Sequence, residues 1–98
     1  MSLRLPEGFV ELETRDRWYR IECTTETGKG PVRFVAIKVI ARYGSIEPVL
    51  EQGHIVLYDG FGVESATSLI LATVARKQEE GFTITNRGVW TTKQHHPG

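Results

Sequence analysis

Two glycines, Gly60 and Gly62, flank Phe61 between a predicted strand and a predicted helix. Backbone N–H groups at the start of a helix can bind an anion, and Ser65 could serve there as a third small residue. A dinucleotide-binding fingerprint would also need an acidic residue downstream and a parallel βαβ unit, which this chain lacks. The favoured interpretation is a tight strand-to-helix turn, and the alternative is an anion site at Gly60, Gly62 and Ser65.

Residues that could bind a metal are few. His54, His95 and His96 are the only histidines, and Cys23 is the only cysteine. A structural zinc site needs about four preorganised ligands, and no ligand spacing of that kind is present. Cys23 is predicted to face the core, where cysteine behaves as a small hydrophobic residue. We therefore expect no metal and no other cofactor.

The acidic residues do not form a catalytic pattern. Glu47, Glu51, Asp59 and Glu64 are predicted to be solvated residues of loops and of the helix start. No two of them lie on one element at a spacing suited to acid–base catalysis. The chain also has no nucleophile elbow, Walker loop or His-Glu-x-x-His motif. The sequence gives no support for an enzyme.

Aromatic and cationic residues are predicted to share one face of two neighbouring strands. Tyr19, Ile21 and Cys23 alternate along the first strand and should face inward. Trp18 and Arg20 would then face outward, where they could stack on single-stranded nucleic acid. The competing interpretation is that this face packs under the terminal strands or against a second subunit, which is the more common role of aromatic patches. The predicted binding residues are Trp18, Arg20, Phe34, Lys38, Arg42 and Trp90.

A predicted antiparallel sheet positions these side chains. Alternating apolar residues predict strands at 9–14, 17–23, 32–43 and 54–58, and a last hairpin from 82–85 and 89–92. Strand 9–14 is expected at an edge, and strand 32–43 is expected in the centre, antiparallel to 17–23. Glycine and proline predict a loop at 24–31 and an irregular connector at 44–53.

The segment 64–80 is predicted to be a helix, because its apolar residues recur at helical spacing. Glu64 suits the positive end of the helix dipole, Arg76 lies near the negative end, and Gly81 is a natural stop. We expect the helix to meet the inward rows of the sheet in a dry interior. The residues predicted on its inner face are Ala66, Leu69, Ile70, Thr73, Val74 and Lys77.

Composition limits the partners and the compartment. Twelve Lys+Arg balance twelve Asp+Glu among 98 residues, so the formal net charge is zero. Duplex-binding domains usually carry a basic excess, and a neutral chain also lacks the repulsion that opposes self-association. A single cysteine indicates no oxidising compartment, and no signal peptide or membrane-length apolar run is seen. We expect a cytoplasmic location and no membrane partner.

The segment from Trp18 to Phe82 faintly resembles the WGR domain. That resemblance depends on several strands followed by a helix and by the closing residues Lys77, Gly81 and Phe82. The family's Trp-Gly-Arg triplet is absent, and residues 41–44 (Ala-Arg-Tyr-Gly) stand near its expected place. The chain also resembles small bacterial proteins with a strand-rich start and one late helix. Neither resemblance implies a role for a particular residue.

The expected fold is α+β, a single domain over 1–98 with about four to six antiparallel strands and one helix packed on the sheet. Its ends, about 1–7 and 93–98, are expected to be flexible. The function expected from these patterns is a non-catalytic protein-interaction or accessory module, with a homodimer compatible with the charge. The alternatives are single-stranded nucleic-acid binding on the aromatic face and small-ligand or anion binding at 59–65.

Overall fold

The computed structural model describes residues 8–27 and 35–86 of the chain. They form an antiparallel sheet with one helix packed on it, which confirms the expected α+β class. The elements in chain order are β1 (Gly8–Glu13), β2 (Arg17–Thr27), β3 (Val35–Ile46), β4 (Val49–Gly60), α1 (Val63–Glu79) and β5 (Thr83–Ile84).

The sheet has the strand order β4-β3-β2-β1-β5. β1 to β4 form a meander in which each strand pairs with the next, and β2 lies in the centre. The predicted antiparallel pairing of β2 with β3 is confirmed, and it extends from Arg17↔Ser45 to Thr27↔Val35. The alternation of β2 therefore determines which side chains of three strands share a face.

The predicted connector 44–53 is wrong, because most of it is strand. β3 continues to Ile46 and β4 begins at Val49, so that only Glu47 and Pro48 form the turn. Glycines usually weaken a strand, but here they allow β4 to approach closely. A Cβ atom on Gly44 would lie 1.8 Å from the carbonyl oxygen of Leu50. The pairing of β3 with β4 therefore requires glycine at this position.

One face of the sheet, which we call the front face, carries the helix. Tyr19, Ile21 and Cys23 of β2 are buried there, and Cys23 is 5% exposed. Ala66 and Thr73 of α1 are also buried. The expected orientation of the inward rows is confirmed. The buried apolar cluster comprises Leu12, Tyr19, Ile21, Cys23, Ile37, Val39, Ala41, Ala66 and Phe82, and Val35, Ile70 and Val74 pack against it.

The helix lies within one residue of its predicted bounds. Gly62 is the N-cap residue and makes no side-chain cap hydrogen bond, while Glu64 lies in the first turn. Gly81 follows the helix with φ +101°, a left-handed conformation that favours glycine. The outer face of the helix exposes Leu71, whose side chain is 64% accessible. This apolar outer face agrees with the composition of the segment.

β1 is an inner strand and not the predicted edge strand. β5 pairs with its outer side at Leu12↔Ile84 and Glu13↔Thr83. Beyond β5, Asn86 accepts a hydrogen bond from the Glu11 N–H through Oδ1 at 2.8 Å. The Glu11 carbonyl oxygen in turn accepts bonds from the backbone N–H groups of residues 85 and 86. The outer side of β1 is thus paired with the chain's own later residues.

Some expectations concern residues outside the described ranges. These are the flexible ends 1–7 and 93–98, residues 28–31 of the predicted loop, the strand 89–92, and the binding residues Phe34 and Trp90. The first half of that loop, 24–27, is wrong, because β2 continues to Thr27 in its pairing with β3. Within the described ranges, α1 is neither long enough nor apolar enough to cross a membrane.

Candidate functional site

The face of the sheet opposite the helix, which we call the back face, carries a row of alternating charges. Glu11 of β1 lies 3.6 Å from Arg20 of β2, and Arg20 donates from Nε to Glu22 at 2.8 Å. Glu22 also accepts a 2.8 Å bond from Nε of Arg42 on β3, and Arg42 reaches Glu51 of β4 at 3.4 Å. We call these five residues the charge ladder. It joins four strands.

The charge ladder neutralises two of the predicted binding residues. The hydrogen bond to Glu22 raises the pKa of Arg42, with desolvation opposing and the nearby carboxylates adding to the shift. Arg20 is nearly buried, and its guanidinium carbon lies 3.7 Å from the centre of the Phe9 ring. Arg20 and Arg42 therefore stabilise the sheet and give no support to an open positive surface for nucleic acid.

Trp18 lies on the back face, as predicted from alternation, but it is not exposed. Its relative accessibility is 0% within the chain itself. In register it is flanked by Glu13 on β1 and by Gly44 on β3, and the absent side chain of Gly44 leaves space beside it. Trp18 therefore lies on its predicted face but offers no open surface for stacking on nucleic acid, because alternation identifies the face of a residue and not whether that face is covered.

Of the four predicted binding residues that the structure describes, Lys38 is the one that is exposed. It lies on β3, opposite Asp59 of β4 in register. The structure therefore brings Arg20 and Arg42 together through Glu22 and leaves Lys38 at a distance along β3. The predicted residues do not form one contiguous aromatic and basic patch among the described residues.

The predicted anion turn is occupied by a tyrosine of the chain itself. The Gly62 N–H donates to the hydroxyl oxygen of Tyr58 at 2.8 Å. A Cβ atom on Gly60 or Gly62 would lie 2.9 Å from that oxygen, so both glycines make room for Tyr58. Ser65 lies beside Gly62 and is exposed. This geometry explains the two glycines without a ligand.

Metal ligands do not gather in the described part of the chain. No group of three or more His, Cys, Asp or Glu side chains lies close enough there to hold a metal ion. Cys23, the single cysteine of the chain, is buried.

β4 forms the outer edge of the described sheet. It is 12 residues long, and β3 is its partner strand. Ile55 faces front and is 51% exposed, while Val56 faces back and is 50% exposed. This strand thus presents apolar side chains on both faces beside an unpaired edge among the described residues.

A second exposed feature is a cavity of about 450 Å³ on the front face, which we call the front groove. It lies between the C-terminal half of α1 and strands β2, β3 and β4. Its described lining residues include Arg17, Tyr19, Tyr43, Arg76, Lys77 and Phe82.

No protein-family model, curated protein or solved structure matches this chain. Its function must therefore be inferred from geometry. The WGR resemblance stays a prediction.

The sequence patterns missed both exposed features. Arg76 and Lys77 are predictable as residues near the helix end, but their position above Tyr19 depends on how the helix crosses the sheet. Pro48 and Gly53 are typical of turns, so the sequence predicts a connector where the first part of β4 forms. The apolar run 54–58 was a usable signal for an exposed edge, although alternation alone does not show which strand lies outermost.

Proposed function

We propose that this chain is a non-catalytic protein-interaction module in which two copies associate through the β4 edge. The observation that carries the proposal is the long outer strand. β4 extends over Val49–Gly60, and none of the described residues pairs with its outer side. Unpaired backbone N–H and C=O groups along such an edge can add a strand from another chain.

The side chains of β4 favour contact with an apolar partner. The run 54–58, His-Ile-Val-Leu-Tyr, contains no Asp, Glu, Lys or Arg. Leu50, at the other end of the strand, is 54% exposed. Proteins usually protect long edges with charged side chains or proline, and the middle of β4 carries neither. Glu51, the nearest carboxylate, is engaged by Arg42 in the charge ladder.

A second copy of the chain fits this edge better than an unlike partner. Two identical strands can pair antiparallel about a twofold axis, and each copy then contributes the same patch. The uncharged run would lie near the axis, so no like charges would meet there. The zero net charge of the chain also removes long-range repulsion between copies. We keep the cytoplasm as the expected compartment, because the single cysteine indicates no disulfide.

The oligomeric state tests this proposal directly. Sedimentation velocity over a range of concentrations should show a reversible dimer for the wild-type chain. Val56→Lys places a charge on the edge and should shift the chain to monomer. Leu71→Lys is the matched control, because Leu71 is also apolar and exposed, at 64% against 50% for Val56, but lies on the outer face of the helix. Thermal unfolding curves of both variants serve to check that each is folded.

Two results would overturn the proposal. The first is a wild-type chain that stays monomeric at the highest soluble concentration. The second is a dimer that Leu71→Lys dissociates and Val56→Lys leaves intact, since the contact would then lie on the helix.

A further inference from the structure

We infer that the front groove is a binding site for a small planar anion, an aromatic ring that carries a carboxylate or phosphate group. This site borders the front side of β4, lies away from the back-facing Val56, and adds a ligand to the proposed interaction module. The inference depends on three features of the groove: its size, its aromatic wall and its cations.

The size of the groove suits a small molecule. Its volume of about 450 Å³ lies within the range of known small-ligand sites. Ile55 and Leu57 of β4 line one side of the groove, and the side chain of Gln52 adds a neutral polar group. The helix crosses the sheet without covering this corner, so the groove opens to solvent.

Three aromatic rings form a continuous wall. The rings of Tyr19 and Tyr43 are stacked, with centroids 6.3 Å apart and planes 13° apart. Phe82 meets Tyr19 edge-on at 6.2 Å. Offset-stacked and edge-to-face contacts are the arrangements that aromatic rings favour. Tyr19 and Phe82 are 6% and 4% exposed, so a planar ligand would extend the wall mainly through the partly exposed Tyr43.

The cations of the groove are not balanced by acids in its lining. Arg17, Arg76 and Lys77 line the groove, and none of its described lining residues is acidic. Lys77 binds Glu80 at 3.1 Å, and its Nζ lies 4.4 Å from the centre of the Tyr19 ring. Within the described ranges Arg17 and Arg76 have no carboxylate within ion-pair distance. The groove is thus locally positive in a chain of zero net charge.

The contrast with the charge ladder is informative. Arg20 and Arg42 each bind Glu22 at 2.8 Å, so their positive charges are paired with a carboxylate within the fold. Arg17 and Arg76 are exposed at the groove, and the guanidinium carbon of Arg17 lies 5.3 Å from the Phe82 ring centre. An arginine fork can bind a carboxylate or phosphate through two parallel hydrogen bonds.

The charges of Arg76 and Glu80 both act on the aromatic wall at Tyr19. Burial makes the largest contribution and raises the pKa of the Tyr19 hydroxyl, while the positive charge of Arg76 lowers that pKa and the negative charge of Glu80 raises it. Glu80 pairs with Lys77, so Arg17 and Arg76 are the groove cations left for an anion among the described residues. The ring of the ligand would contact the aromatic wall, and its anionic group would lie towards the guanidinium groups.

Ligand titrations of the full chain, followed by NMR amide shifts, test the inference. The probes are phenyl phosphate, benzoate, inorganic phosphate and benzylammonium. Phenyl phosphate or benzoate should bind saturably and shift the amides of β2, β3 and the end of α1. Inorganic phosphate should bind at least tenfold more weakly, because it lacks the ring, and benzylammonium should not bind. The tighter of the two aromatic anions identifies the natural anionic group.

Matched arginine variants locate the site. Arg76→Gln should raise the dissociation constant of the better probe at least tenfold. Arg15→Gln is the control, because Arg15 is an exposed arginine outside the groove lining, and it should leave binding unchanged. Val56→Lys should also leave binding unchanged, since Val56 faces the back. The Val56→Lys variant thus distinguishes ligand binding in the groove from dimer formation at the β4 edge.

Three outcomes would overturn the inference. One is the absence of saturable binding by both aromatic anions at millimolar concentration. Another is an equal loss of binding in Arg15→Gln and Arg76→Gln. The last is a set of amide shifts confined to residues outside the groove.

Discussion

Glu22 holds the centre of the charge ladder, and its replacement should destabilise the fold measurably. Its carboxylate accepts one hydrogen bond from Arg20 and one from Arg42, both at 2.8 Å. Glu22→Gln keeps the shape of the side chain but removes the charge. One oxygen acceptor is also replaced by an amide NH2 group, which can only donate, facing guanidinium groups that can only donate.

The structure sets the expected magnitude. A hydrogen bond to a charged group contributes about 1.5–3 kcal/mol, and partial exposure reduces that value. The side chain of Glu22 is 28% exposed and that of Arg20 is 11% exposed. Arg20 keeps Glu11 as a partner, and Arg42 keeps Glu51. We therefore expect Glu22→Gln to lower the free energy of unfolding by about 2–3 kcal/mol, which corresponds to roughly 10–20 °C in Tm for a domain of this size.

Urea unfolding at neutral pH, followed by circular dichroism, measures this loss. Glu51→Gln is the matched control, because Glu51 lies at the end of the ladder and, among the described residues, pairs with Arg42 alone, at 3.4 Å. Its loss should be about 0.5 kcal/mol, as for an ordinary surface pair. Equal losses in the two variants, or a loss below about 0.5 kcal/mol for Glu22→Gln, would refute the view that the ladder is a structural network.

Two further predictions concern the close β3–β4 contact and the buried phenol. Gly44→Ala should lower the free energy of unfolding by about 3 kcal/mol or more, because its Cβ would collide with the backbone of β4. Gly53→Ala meets only the end of a tyrosine side chain and should cost about 1 kcal/mol in the same urea experiment, so equal losses would contradict the clash. Burial raises the pKa of Tyr19 above its ordinary value of 10.0, so the unfolded chain ionises first. Stability should therefore fall as the pH rises above about 10 and through the folded-state pKa. Tyr19→Phe removes the phenol, so the free energy of unfolding should fall less with rising pH in unfolding curves measured at several pH values. An unchanged dependence on pH would contradict the role of Tyr19.

The parts of the fold that depend on local periodicity were predictable. Alternation in β2 placed Tyr19, Ile21 and Cys23 on the buried face, and helical spacing placed α1 within one residue of its bounds. Both patterns arise because one face of each element must be buried, so apolar residues recur at a fixed spacing along the local sequence.

The parts that depend on distant contacts were not predictable. Gly44, Pro48 and Gly53 are turn residues by local preference, but pairing with β3 holds most of that segment in a strand. The pairing of Arg20 and Arg42 with Glu22 depends on strand register, which a single sequence does not reveal. The front groove depends on the angle at which α1 crosses the sheet. The fold was therefore predicted more accurately than the exposure of the residues proposed for binding.

The two flanks of the sheet differ in the length of edge that they offer to another chain. The Glu11 N–H and C=O are bonded to residues 85 and 86, so the flank of β1 has no free backbone groups at that point. β4 is the long flank of the described sheet, whereas β5, at the opposite flank, is two residues long. If two copies join through β4 about a twofold axis, each uses its long flank in that contact. The short β5 then offers little edge for a further strand, and weakening the bonds between β1 and the residues that follow β5 should expose more of it.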